Sequence, residues 1–251
     1  MCGIVGYIGP KRAEPFLIQG LQRLEYRGYD SVGVAVVNDD ELVVRKQKGK
    51  VKGLATALSG AGGLAGQLGI GHTRWATHGF PSDENSHPHV SEGDDFALVH
   101  NGIIENYATL KERLQQDGYS FRSQTDTEVL VHLIDSIRKS TGLGLVDAVR
   151  QALTQVTGTY GIAVVSKDDP DLLIGARKGS PLLIGVGQGE YFLASDAAPL
   201  VGYTRQVVYL NDGEMTVIRR DGFEVSTIDA VPLEKEVIEL EMDLEQIEKS
   251  G

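Results

Sequence analysis

Two periods of apolar residues divide the chain: short runs bounded by polar turns, and stretches in which apolar side chains return every three or four positions. The runs at 3–8, 32–37 and 41–47 are rich in β-branched residues, and Asn38-Asp39-Asp40 forms a polar turn between the last two, which predicts strands of one sheet. Between the first two, Phe16, Leu17, Leu21 and Leu24 share one helical face behind Pro15, a residue the first helical turn tolerates. A helix over 15–24 follows, despite Gly20. A second short helix is predicted around 51–58, and then a loop, Gly60-Ala61-Gly62-Gly63-Leu64-Ala65-Gly66. That loop has no lysine and does not open a helix after a strand, so it predicts flexibility and not a phosphate cradle.

From a strand-like 68–71 the chain passes through a polar stretch, 73–92, to the apolar run 96–99. A loop of such length inside a compact domain is usually functional. Helices follow at 104–116 and 125–139, the second opened by the capping box Thr125-x-x-Glu128, and a third spans 145–156. The last third returns to short, turn-bounded apolar runs at 160–166, 172–176, 182–185, 191–194, 207–210 and 214–219. Strands, then helices, then strands predict an α+β fold, two sheets face to face with helices covering their outsides. No period repeats along the chain. The tail 233–251 is acidic and alternates apolar with charged residues, so the expected division is a domain over 1–232 and the start of a linker over 233–251.

Composition narrows the picture. With 41% hydrophobic and 24% charged residues in 251, the chain can bury a sizeable core. Thirty-one glycines stand well above the roughly 7% norm and imply many tight turns and close backbone approaches. A net charge of -11 argues against a nucleic-acid surface. One cysteine excludes an intrachain disulfide and fits a reducing compartment. No apolar run reaches the ~18 residues of a membrane span, and no basic-then-apolar leader follows Met1, so the expected compartment is the cytoplasm, with no membrane partner.

That cysteine is Cys2, and removal of Met1 would place its thiol and a free α-amine on one carbon. A thiol titrates near ~8.5 and an α-amine near ~7.7 to 8, so the amine can take the thiol proton close to neutral pH. Four other segments carry matching chemistry. In His72-Thr73-Arg74-Trp75-Ala76-Thr77-His78-Gly79, Arg74 offers a planar fork for a carboxylate within a loop able to fold over a small ligand. Asn101 and the next backbone N–H, in His100-Asn101-Gly102, can face a developing oxyanion, and the glycine permits the unusual backbone this needs. Asp126 at a helix N-terminus either complements the helix dipole or meets a ligand ammonium. Arg27, in Leu24-Glu25-Tyr26-Arg27-Gly28-Tyr29-Asp30-Ser31, either orients groups around Cys2 or pairs internally. Histidines 72, 78, 87, 89 and 100 raise the question of a metal, but neither an HExxH pattern nor a cysteine cluster accompanies them, so none is expected.

Taken together, Cys2-Gly3-Ile4-Val5-Gly6, the segments 24–31 and 71–79, His100-Asn101-Gly102-Ile103-Ile104-Glu105-Asn106 and Thr125-Asp126-Thr127-Glu128 closely resemble one family of class II glutamine amidotransferases. It is the family formed by the glutaminase domains of glutamine:fructose-6-phosphate amidotransferases, the glucosamine-6-phosphate synthases. The likeness covers essentially the whole chain in order, with Val32 where alanine is usual. It implies an N-terminal nucleophile hydrolase fold, a four-layer αββα sandwich. It also implies roles: Cys2 as nucleophile toward the amide of L-glutamine, Asn101 and the Gly102 N–H as oxyanion donors, and Arg74 and Asp126 as partners of the substrate carboxylate and ammonium. Trp75, Thr77 and His78 would belong to a loop that closes over the site, with Arg27 in support. No cofactor is implied. The implied partner is a sugar-isomerase half in the same full-length chain, carrying a fructose 6-phosphate site, in a homodimer. Two alternatives remain: a stand-alone glutaminase or amidase of this fold, and a non-catalytic glutamine-binding module.

Overall fold

The computed structural model describes residues 2–75 and 79–240. The chain runs through β1 (Gly3–Ile8), α1 (Ala13–Leu24), β2 (Ser31–Asn38), β3 (Glu41–Lys48), α2 (Val51–Gly60), β4 (Leu68–Arg74), β5 (His89–Val90) and β6 (Phe96–Ile104). Three helices follow, α3 (Tyr107–Gln116), α4 (Asp126–Thr141) and α5 (Leu145–Gln155). Strands complete it: β7 (Gly158–Ser166), β8 (Asp169–Lys178), β9 (Leu183–Val186), β10 (Tyr191–Ala194), β11 (Gln206–Tyr209), β12 (Glu214–Arg219), β13 (Gly222–Thr227), β14 (Pro232–Leu233) and β15 (Ile238–Glu239). Among the described residues the strands pair antiparallel, in two sheets ordered β15-β11-β9-β10-β1-β4-β2-β3 and β14-β13-β12-β8-β7-β6-β5.

Side-chain alternation explains the layers. Along β1, Ile4 and Ile8 enter the core between the sheets while Val5 and Tyr7 enter the core under α1 and α2. On β6, Ala97 and Val99 face the first sheet while Phe96 and Leu98 pack with α4 and α5; Ala163 and Val165 against Ile162 and Val164 repeat the division on β7. Each central strand buries both faces, which is why it reads as a continuous apolar run and not as an alternating one. Three apolar cores thus separate four layers, helices, sheet, sheet, helices, as the resemblance implied.

Glycines set the spacing of α1. A Cβ at Gly69 or Gly71 of β4 would stand 2.9 Å from Leu17 or 3.0 Å from Leu21, and one at Gly20 would stand 2.9 Å from Val5. Gly20 therefore weakens the helix by propensity but lets it lie close on the sheet.

Several boundaries move. The strand expected over 96–99 continues to Ile104, because His100 to Ile104 pair in register with Ile162 to Gly158, and the helix expected from 104 begins at Tyr107. The polar stretch 73–92 contains the end of β4 and all of β5. Only half of the capping box forms: Thr125 Oγ1 accepts the Glu128 amide at 3.4 Å, but the Glu128 carboxylate passes the cap to take the amides of Arg122 and Ser123 at 2.8 and 2.7 Å. The glycine-rich loop is pinned, with the Leu64 amide donating to Glu14 and Arg12 Nε donating to the Leu64 carbonyl at 2.9 Å. A carboxylate of the chain itself thus holds an amide that a phosphate would need. β13, β14 and β15 were not foreseen. The expected division at 232/233 falls inside β14, Ile238 still pairs with Val207, and Leu240 is buried in the core beneath α1 and α2.

Candidate active site

Cys2 lies immediately before β1, and the antiparallel register that sets Gly3 opposite Thr73 carries the end of β4 past it. The Trp75 amide donates to Cys2 Sγ at 3.2 Å, and the thiol stands 3.5 Å from the Trp75 carbonyl oxygen. Burial pushes the thiol above its ordinary range, and the Trp75 amide and the Arg74 charge offset this only in part. A thiol held protonated in this way needs a base to react. Gly3 has to be small, since a Cβ there would come within 2.7 Å of Leu24 and 2.8 Å of Thr73 Oγ1.

The second sheet brings Asn101 to the same point. His72 of β4 faces across to β6, with Nε2 2.9 Å from Asn101 Oδ1 and 3.1 Å from the His100 carbonyl oxygen, while Asn101 Nδ2 donates to the Cys2 carbonyl at 3.2 Å. Gly102 has φ +133°, and a Cβ there would collide with the Thr159 carbonyl oxygen, so the backbone as well as the neighbour demands glycine. The first turn of α4 forms another wall. Asp126 is buried there, its Oδ2 accepting the Ile104 amide at 2.8 Å, and Thr127 Oγ1 lies 2.9 Å from both His87 Nε2 and His100 Nδ1. Burial holds His72 at about 3 and also lowers His87 and His100, so all three are neutral near pH 7.

Arg74 is buried; its Nη2 donates to the Gly79 carbonyl at 3.2 Å and its Nη1 lies 3.8 Å from Asp30. Arg27 resolves toward internal pairing: it meets Asp196 at 3.2 Å and donates to the Ser195 carbonyl at 3.4 Å, while Ser195 Oγ accepts the Ile4 amide at 2.9 Å. Trp75 is 55% exposed and lies over Gly28, where a Cβ would strike the ring. Thr77 and His78 lie outside the described residues.

Cys2, Arg27, Arg74, Trp75, Asn101, Gly102 and Asp126 thus line a single cleft of about 360 Å³. It is of a size for a small polar metabolite. His87, His100, Ile103, Thr125, Thr127, Thr159, Ser180, Pro181 and Ser195 complete it without having been singled out as site residues. His87 had drawn notice only as a metal candidate and His100 only as that and as the neighbour of Asn101, while Ser195 has no local signal because the β1–β10 pairing brings it from 191 residues away. Among the described residues no group of three or more His, Cys, Asp or Glu is arranged to hold a metal ion.

Comparison with known proteins adds a second line. Residues 72–202 match the family model described as a glutamine amidotransferase domain. The chain belongs to the glutamine amidotransferase family. The amidotransferase domain is 58% identical over its whole length to an isomerizing glutamine–fructose-6-phosphate aminotransferase of Chlorobaculum tepidum and 54% identical to that of Bacteroides thetaiotaomicron. In each case it spans 41% of the relative's length. A glutamine phosphoribosylpyrophosphate amidotransferase from B. subtilis shares the fold at TM-score 0.75 and 29% identity, over 90% of this domain and 49% of that chain. The amidotransferase domain has the N-terminal nucleophile hydrolase fold.

Proposed function

We propose that this domain hydrolyses the side-chain amide of L-glutamine to glutamate and ammonia, with Cys2 as the nucleophile. The observation that carries the reading is the convergence of Cys2, Asn101, Arg74 and Asp126, from four separate segments, on one cleft. With Met1 removed, the α-amine of Cys2 takes the thiol proton and Sγ attacks the amide carbon. The oxyanion that forms is met by Asn101 Nδ2 and the Gly102 N–H. The amine then returns the proton to the departing nitrogen, ammonia leaves, and a Cys2 glutamyl thioester remains. Water, deprotonated by the same amine, attacks the thioester and releases glutamate and the thiol. Arg74 grips the substrate carboxylate and Asp126 its ammonium, while Trp75, Thr77 and His78 close over them. Arg27 holds the Ser195 carbonyl and the Asp196 carboxylate beside β1. No step calls for a cofactor or a metal.

The names and the extent of the relatives support a wider proposal. This domain, carried through Leu240 and so past the 232/233 division expected from the sequence, feeds its ammonia to a sugar-isomerase half that aminates fructose 6-phosphate, in a cytoplasmic homodimer without nucleic-acid or membrane partners. No helix among the described residues is long and apolar enough to cross a membrane. The glutaminase step is tested with the protein in hand. It should release glutamate and ammonia in equal amounts, and Cys2→Ala should release neither while still binding glutamine through Arg74 and Asp126. Ammonia release by Cys2→Ala at the wild-type rate contradicts the proposed nucleophile.

A further inference from the structure

A carboxamide has two ends of nearly equal size and opposite character, and only its NH2 end stabilises an oxyanion. Something must therefore set which way Asn101 points. His72 Nε2 faces two oxygens, Asn101 Oδ1 at 2.9 Å and the His100 carbonyl at 3.1 Å. Both are acceptors, so this nitrogen carries the ring proton. With Nε2–H fixed, Oδ1 turns to His72 and Nδ2 is left facing Cys2, where it donates to the carbonyl at 3.2 Å. A reversed amide would set NH2 against Nε2–H and oxygen against oxygen. The ring itself is held: it is fully buried, lies with its centroid 4.1 Å from that of His87, and its Nδ1 has no hydrogen-bond partner among the described residues.

We infer that His72 is a positioning residue for the reaction: its Nε2–H fixes the polarity of the Asn101 carboxamide, so that the NH2 end is presented where the oxyanion forms. The inference rests on the reading of Asn101 as an oxyanion donor. It separates His72 from acid–base roles, since a ring pushed down to about 3 by burial stays neutral and moves no proton near pH 7. It also explains a buried histidine one strand away from the nucleophile that does not itself line the cleft but hydrogen-bonds to Asn101, which does.

The test compares kcat, KM and melting temperature for wild type, His72→Leu, His72→Gln, Asn101→Ala and the double variant His72→Leu/Asn101→Ala. His72→Leu should lower kcat on the order of 10- to 100-fold with KM nearly unchanged, less than the roughly 100- to 1000-fold of deleting an oxyanion donor. The amide nitrogen of glutamine reaches about as far as Nε2, so His72→Gln should recover most of that loss. In the Asn101→Ala background His72→Leu should add nothing, because no amide is left to orient. If leucine prevents folding, His72→Asn replaces it, its shorter amide falling short of Oδ1. Losses that multiply in the double variant, or a His72→Gln enzyme as slow as His72→Leu, overturn the role of His72 while leaving that of Asn101. Wild-type turnover by Asn101→Ala overturns the reading beneath it.

Discussion

The Asp126 carboxylate accepts the Ile104 amide at the N-terminus of α4 and lines the cleft, so its structural and ligand-binding readings can be separated by removing charge alone. Asp126→Asn keeps an oxygen for the Ile104 amide. Melting temperature should barely change, while glutamine affinity, measured by titration calorimetry, should fall about 10-fold or more, the worth of a charged hydrogen bond at roughly 1.5–3 kcal/mol. A lower melting temperature with unchanged affinity would leave Asp126 only its place at the helix end. At this scale the sequence was informative wherever chemistry is local: Cys2, Arg74, Asn101, Gly102 and Asp126 were singled out, and all line the cleft. Arg27 stayed open, because its partner Asp196 is remote in sequence and near only through the β1–β10 pairing.

Among the elements, the entry to α4 bears most on the site, since it holds Asp126 and Thr127 against the cleft. Glu128 anchors it through the Arg122 and Ser123 amides and the Ser123 hydroxyl, the last at 2.6 Å. Burial pushes this carboxyl up, but His132, with Nε2 3.7 Å away, and the hydrogen bonds from the Ser123 hydroxyl and the Arg122 and Ser123 amides outweigh it and bring it to about 2. Glu128→Ala leaves these donors without their acceptor and should cost on the order of 3 kcal/mol in urea unfolding, with turnover falling as the first turn loosens. Stability within about 0.5 kcal/mol of wild type, the range of ordinary surface changes, would remove Glu128 from the entry. Serine or threonine followed three residues later by glutamate marked this helix start, but not where the carboxylate would reach. β6 ended too early for a related reason. His100-Asn101-Gly102, which precede the closing Ile103-Ile104 of β6, line the cleft, and they interrupt the apolar run that signals a strand. β13 offered no apolar run to read: it pairs with β12 across the Arg220-Asp221 turn, and just one of its residues, Val225, is buried.

For the whole molecule, the four layers follow from strands apolar on both faces, visible as unbroken runs, and from helices with one apolar stripe each. Strand order was not visible, because it depends on pairings such as β1 with β10 across most of the chain. The seam between the sheets has a second consequence, since it buries His72, His87, His89 and His100 together. Burial lowers all four, His72 and His89 to about 3. In the unfolded chain each takes a proton as pH falls through about 6.5, so below that value the unfolded state binds more protons and stability falls with pH. Each imidazole that charges only on unfolding adds about 1.4 kcal/mol per pH unit to the slope. Urea unfolding should therefore show a marked loss between pH 7.5 and pH 5, before most carboxylates titrate. A flat profile over that range would contradict neutral burial of the cluster.

The central claim is that an N-terminal Cys2 supplies both nucleophile and base. Its most direct test is intact mass measured on the same material as ammonia release, for preparations with Met1 removed and with Met1 retained. Material lacking Met1 should hydrolyse glutamine and give a Cys2 adduct with an electrophilic glutamine analogue, whereas material retaining it, with an amide in place of the amine, should release no ammonia above background. Full activity from protein shown by mass to keep Met1 would contradict the account.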